Sequence, residues 1–159
     1  MTLSQFPSRE RCVHNMAVVS VVTDEEFLHQ MSKDHVFDPE STLVQDLKDT
    51  LRAYKGRGVG LAAPQIGVLE RVIAVLDDAG KICIFRNPEI VGRSPQTYFA
   101  VEGCLSLQGG YRVKRHQRVK VTWIDDNGRK QEKVFKDRMA QKLQHEIDHL
   151  HGILIKEEV

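Results

Sequence analysis

Gln144-His-Glu-Ile-Asp-His149 places two imidazoles one helical turn apart. At i and i+4 of an α-helix, His145 and His149 project from one face, within reach of a single metal ion. Glu146 lies ~100° further round, where its carboxylate can address a water on that ion instead of ligating it. Metal-dependent hydrolysis of an amide or ester is the chemistry this pattern serves.

Working outward, the stretch sits in a helix expected from about Arg138 to His151, with Asp137 as N-cap and Gly152 as C′. With His145 set at 0°, His149 falls at ~40°, and Met139, Leu143, Ile147 and Leu150 cluster between ~120° and ~200°. Gln141, Gln144, Asp148 and His151 fill a polar arc near ~240–320°. The histidines stand outside that arc, so a buried helix with a dedicated ligand face explains them better than two solvated side chains do.

Upstream, a helix is expected over Pro39–Gly56. Asp38 would be its N-cap, Pro39 its first residue, and Leu43, Leu47, Leu51 and Tyr54 its apolar stripe. Residues 71–77 and Ile82–Phe85 read as strands around the turn Asp78-Ala-Gly, and Thr97–Val101 as another. Val119–Ile124 and Gln131–Phe135 form a hairpin signalled by Asn127-Gly128. Residues 1–15 show no periodicity and read as a loose lead-in, with Met16 an alternative start to Met1. Antiparallel or mixed β-sheets around a central metal-binding helix make an α+β fold, expected as one domain over 1–159.

The 159 residues carry 23 Lys+Arg against 22 Asp+Glu, a formal charge of +1, so no basic surplus argues for direct nucleic-acid binding. No segment approaches the ~20 apolar residues of a membrane span, and no secretory h-region opens the chain. A cytoplasmic protein without a membrane partner is expected. The three cysteines, Cys12, Cys83 and Cys104, are too few and scattered for a disulfide framework.

A catalytic site of this type needs three protein ligands and one open position. Cys104, in Glu102-Gly-Cys-Leu-Ser106, is the candidate third ligand, because a loop beside Gly103 is an unusual setting for a cysteine that serves only as a small buried hydrophobe. Cys12 and Cys83 read as structural. A second unusual stretch, Gly58-Val-Gly-Leu-Ala-Ala-Pro-Gln-Ile-Gly67, permits close backbone approach and offers the amide of Gln65. It lacks the Gly-Lys-Ser/Thr ending of a phosphate loop.

Together, Gly58-Val-Gly-Leu-Ala-Ala-Pro-Gln65, Glu102-Gly-Cys-Leu-Ser106 and Gln144-His-Glu-Ile-Asp-His149 resemble the three signature motifs of the peptide deformylases, in the family's order and over about Val36 to Ile155. The resemblance implies that Cys104, His145 and His149 bind one divalent metal, Fe²⁺ physiologically with Zn²⁺ or Ni²⁺ as replacements. It implies Glu146 as general base and acid, Gln65 and the Leu105 N–H as oxyanion donors, and Gly58, Gly60 and Gly103 along the substrate. The implied reaction removes the formyl group from N-terminal formylmethionine of nascent polypeptides, at the ribosome.

The chain departs from the common pattern at Leu107-Gln-Gly-Gly-Tyr-Arg112, where relatives carry a Val/Ile-Pro and then a substrate-holding Arg. Arg112 is the candidate substitute, and a raised KM with a less affected kcat is the expected consequence. Thr23-Asp-Glu-Glu-Phe-Leu-His also differs, and the family's longer C-terminal helix is missing before Val159. These differences suggest a divergent second copy. The rival readings are a non-catalytic or differently specific metal-binding paralogue, and a thiol hydrolase that uses Cys104 with a histidine.

Overall fold

Residues 9–11 and 17–157 are described in the computed structural model of the chain, with side chains from Val18 onward. Strands β1 (Arg9–Arg11) and β2 (Ala17–Val19) pair antiparallel. The rest of the expected lead-in, with Cys12 and both candidate starts, lies outside the described residues. A short helix α1 (Glu25–Leu28), capped by the Asp24 carboxylate, leads to α2 (Leu43–Ala53).

Helix α2 begins later than the sequence predicts. Asp38 accepts the Glu40 N–H on its side chain and the Ser41 N–H on its carbonyl, so Pro39 opens a turn. Asp then Pro is as suited to the first two positions of a β-turn as to a helix start. The stripe itself is as expected: Leu43, Leu47 and Leu51 are buried, and Tyr54 caps the C-terminus.

The main sheet runs in the order β3 (Gly60–Ala62), β4 (Val72–Leu76), β5 (Ile82–Arg93), β8 (Arg118–Ile124), β9 (Lys130–Lys136), every pair antiparallel. Between β5 and β8, β6 (Thr97–Glu102) and β7 (Tyr111–His116) form a separate antiparallel hairpin. Strand β5 runs well beyond Phe85, the residue at which it was expected to end. Its register against β8 slips between Arg86 and Glu89 and again between Ile90 and Gly92, and Asn87 takes φ 48. Pro88 falls within the first slip, where its missing N–H breaks no ladder bond.

Strand β4 shows how the layers assemble. Val72 and Ala74 belong to the cluster around Leu43, Leu47 and Leu51 of α2. Ile73 and Val75 point the other way, into the cluster around Leu143, Ile147 and Leu150 of α3 (Asp137–Leu150). The sheet is thus covered on both faces, which explains why Val72–Leu76 is apolar without alternation. The HExxH helix α3 lies between this sheet and β7, and that position sets where its remaining face opens.

Both ends of α3 were read closely from sequence, with one change. Gly152 takes φ +72, and a Cβ there would meet the His29 carbonyl oxygen at 2.2 Å, so only glycine fits. Asp137 is not the cap: it has φ 54 and donates its N–H to the Gln117 carbonyl, while Lys136 takes the capping position without a side-chain bond. The 125–129 loop joins β8 to β9, with Asp125 accepting the Asn127 and Arg129 N–H groups and Gly128 at φ +77.

Candidate active site and metal centre

The apolar side of α3 faces the sheet, so its next face, carrying His145, Glu146 and His149, meets the loop after β6 and the segment after β3. One ligand atom each from Cys104, His145 and His149 converges so that all lie within 4.8 Å of one another. Cys104 Sγ is 3.4 Å from His149 Nε2, and the two imidazole rings are 5.3 Å apart.

Each imidazole is set differently. His145 Nδ1 lies 2.9 Å from Glu102 Oε1, which leaves Nε2 for the cluster. Glu102 is gripped in turn by Arg115, whose Nε and Nη2 reach its two oxygens at 2.9 and 2.7 Å. The Nη1 of Arg115 reaches Asp148 at 2.8 Å, tying the network back to α3. A carboxylate on the second nitrogen of a ligating histidine fixes its orientation and strengthens it as a ligand. Burial pushes His149 down to about 3, with the charges of His145 and Arg115 adding to it, so its ring is neutral with a lone pair to offer. At His145 burial works against the charged ring. It is outweighed by hydrogen bonds to Cys104 and Glu102 and by the charge of Glu146, which raise it to about 10.

Burial also opposes ionisation of Glu102, but its bonds to Arg115 and His145 prevail and bring its pKa from 4.5 to about 2. A depressed acid stabilises the fold above its unfolded pKa, and that contribution disappears as pH falls through the folded value. Unfolding free energy should therefore decline as pH drops from about 4.5 toward 2, by on the order of 3 kcal/mol from this group. In Glu102→Gln, denaturant titrations across that range should show a visibly shallower decline.

Glu146 is 4% exposed, and burial pushes its carboxyl up to about 7 despite the opposing charge of His145. Its Oε2 has no hydrogen-bond partner among the described residues, and its Oε1 lies 3.9 Å from His145 Nε2. Gly60 is required beside it, since a Cβ there would meet Oε1 at 2.7 Å. Gly58 likewise gives room to Leu105, whose side chain would stand 2.7 Å from an added Cβ. Gly103 is less constrained, its nearest such neighbour being 3.9 Å away.

Gln65, 1% exposed, follows β3 in a 3₁₀ turn over Ala63–Ile66. Its Oε1 accepts the Ala62 N–H at 2.9 Å, which aims the –NH₂ at Cys104 Sγ (3.5 Å) and Ser106 Oγ (3.1 Å). Leu105 lies in the turn after Cys104, where the Cys104 carbonyl accepts the Leu107 N–H. These residues border a cleft of about 380 Å³ whose lining includes Gly58, Gly60, Gln65, Gly103, Cys104, Leu105, His145 and Glu146.

Arg112 is not brought into this cleft. It is exposed on β7, with its guanidinium 3.8 Å from the centre of the Phe99 ring. Val113 and Arg115 point inward from β7, whereas Arg112 and Lys114 point outward, and Arg112 is turned over Phe99 although its cross-strand partner Val101 borders the cleft. The inward arginine that matters is Arg115, which sequence reasoning gave no role. Glu102, Ser106 and Gln144 were missed in the same way. Gln144 is 5% exposed, and its amide pairs with both the N–H and the carbonyl of His116, holding α3 against β7.

The donor set fits a metal. A cysteine sulfur, a neutral imidazole and a second imidazole held by a carboxylate converge beside the carboxyl groups of Glu102 and Glu146, a donor set suited to a soft divalent metal. The polypeptide deformylase family matches this chain over residues 18–159. The chain belongs to the peptide deformylase family. A peptide deformylase of Thermomicrobium roseum is 41% identical, over 91% of this chain and 87% of its own length. One from Pseudothermotoga lettingae is 42% identical, over 76% of this chain and 69% of its own length. Among solved structures, the Met-Ala-Ser-bound class I type b peptide deformylase of Acinetobacter baumannii superposes with a TM-score of 0.80 at 31% identity, covering 91% of this chain and 99% of that one. Peptide deformylases use a single metal and act on the N-termini of nascent polypeptides. No helix among the described residues is long and apolar enough to cross a membrane.

Proposed function

We propose that this deformylase uses Cys104, His145 and His149 to hold one divalent metal, Fe²⁺ physiologically with Zn²⁺ or Ni²⁺ able to replace it, and that Glu146 drives formyl hydrolysis beside it. The observation that carries the reading is the convergence of three ligand atoms within 4.8 Å next to a buried carboxylate oxygen that has no partner among the described residues. Nascent formylmethionine chains are the substrate, met in the cytoplasm at the ribosome.

The metal, when bound, acidifies water and polarises the formyl carbonyl. Glu146 accepts the proton of the water that attacks the formyl carbon and returns it to the departing α-amine. A carboxyl lifted to about 7 by burial can do both near neutral pH. The Gln65 amide and the Leu105 N–H donate to the oxygen on which charge develops. Gly58 and Gly60 make room for the Leu105 and Glu146 side chains beside the cleft, and the peptide backbone would lie along Gly58, Gly60 and Gly103. Gly60 begins β3, the edge strand of the main sheet among the described residues, where an extended peptide would add as a further strand. Met-Ala-Ser, bound in the Acinetobacter enzyme, is what formyl hydrolysis of formyl-Met-Ala-Ser would leave.

Formate release from formyl-Met-Ala-Ser tests this directly. Turnover should vanish after a chelator strips the metal and return when Fe²⁺ is restored anaerobically. Turnover that survives metal removal would instead identify a thiol hydrolase working through Cys104.

A further inference from the structure

The cleft carries two cations that take no part in the chemistry above. Arg57 precedes Gly58 in one wall, and Lys142 stands one helical turn before His145 and Glu146 on α3, where its stem shares their face. Arg57 is exposed and steadied by the Tyr54 ring 5.1 Å away. The Lys142 ammonium donates to the Leu76 carbonyl at 2.9 Å, which uses one of its three protons. Among the described residues neither cation pairs with a carboxylate. The two carboxylates that line the same cleft are buried: Glu102 is bound to Arg115 and His145, and Glu146 faces the reacting atoms. A substrate lying in the cleft therefore meets two positive charges and no negative charge free to pair with it. The walls between are apolar, with Val59 and Val101 51% and 76% exposed, and apolar walls strengthen such a field.

We propose that Arg57 and Lys142 set substrate preference: the cleft favours N-formyl peptides that carry a carboxylate side chain just after the formylated residue, and disfavours those that carry a cation there. This rests on the cleft being the deformylation site. Each charge is partly solvated, so its influence is that of a surface ion pair, felt through KM and weakened by salt. The two cations act together on attraction and repulsion, so a Glu peptide should exceed its Lys counterpart by about tenfold in kcat/KM at low salt.

The test uses the full-length, metal-loaded enzyme with formyl-Met-Ala-Ser and its relatives in which Glu or Lys replaces Ala or Ser in turn. The Glu-to-Lys ratio should shrink as salt is raised, and should fall toward unity in Arg57→Gln combined with Lys142→Gln. Arg57→Gln alone, at an exposed position, should lower the ratio if the double variant fails to fold. A wild-type ratio within about twofold of unity at both positions overturns the proposal, as does a ratio that neither variant changes. Failure to turn over any of the peptides would overturn the deformylase reading itself.

Discussion

Glu146→Ala should bind one metal per chain as the wild type does and lose nearly all formate release. The carboxylate lies outside the ligand cluster, yet its Oε2 is buried without a partner among the described residues. Proton transfer by a positioned base contributes about 10²–10⁴-fold, so kcat should fall by at least that range. Glu146→Gln separates this from a packing effect, because it keeps the shape that fits against Gly60 and removes only the basic oxygen. Steady-state kinetics on formyl-Met-Ala-Ser, with metal content measured on the same samples, checks both variants. A wild-type kcat in Glu146→Gln would remove Glu146 from the chemistry.

The second large effect lies away from the cluster. Arg115 is 2% exposed and neutralises Glu102 and Asp148 together. Arg115→Met would leave the buried Glu102 and the partly buried Asp148 without their cation, and breaking comparable buried pairs costs about 3–5 kcal/mol. It also frees Glu102, so the carboxylate that fixes the His145 ring is no longer itself held in place. Removal of such support lowers metal affinity by about 10–100-fold. Urea unfolding and competition with a chromophoric chelator should show both losses. Adding Glu102→Gln to Arg115→Met should recover part of the stability, because one uncompensated charge is then gone. A single variant within about 1 kcal/mol of wild type would mean the network adds little.

What the sequence revealed was what short-range spacing encodes. The i, i+4 histidines, the Gly152 stop and the Asn127-Gly128 hairpin each depend on residues a few positions apart, and each stands where it was expected. Turn chemistry misled at Pro39, which opens a turn ahead of α2, and the strand expected to end at Phe85 continues through a register slip as β5. The network behind the cluster left no local trace. Arg115 meets Glu102 across 13 residues and Asp148 across 33, so in sequence each looks like an ordinary surface charge. Gln144 falls in the polar arc, and a helical projection does not show that the backbone of His116 lies against it. Arg112 and Arg115 differ by three positions, hence by strand face, and only the register of β7 against β6 shows which one turns inward.

The central claim is that one metal is held by Cys104, His145 and His149. X-ray absorption at the edge of the metal bound to anaerobically purified protein tests it most directly. One sulfur and two imidazole nitrogens should appear as protein ligands, with sulfur at ~2.3 Å if the metal is zinc. A first shell without sulfur, or one unaltered by Cys104→Ala, would contradict the account.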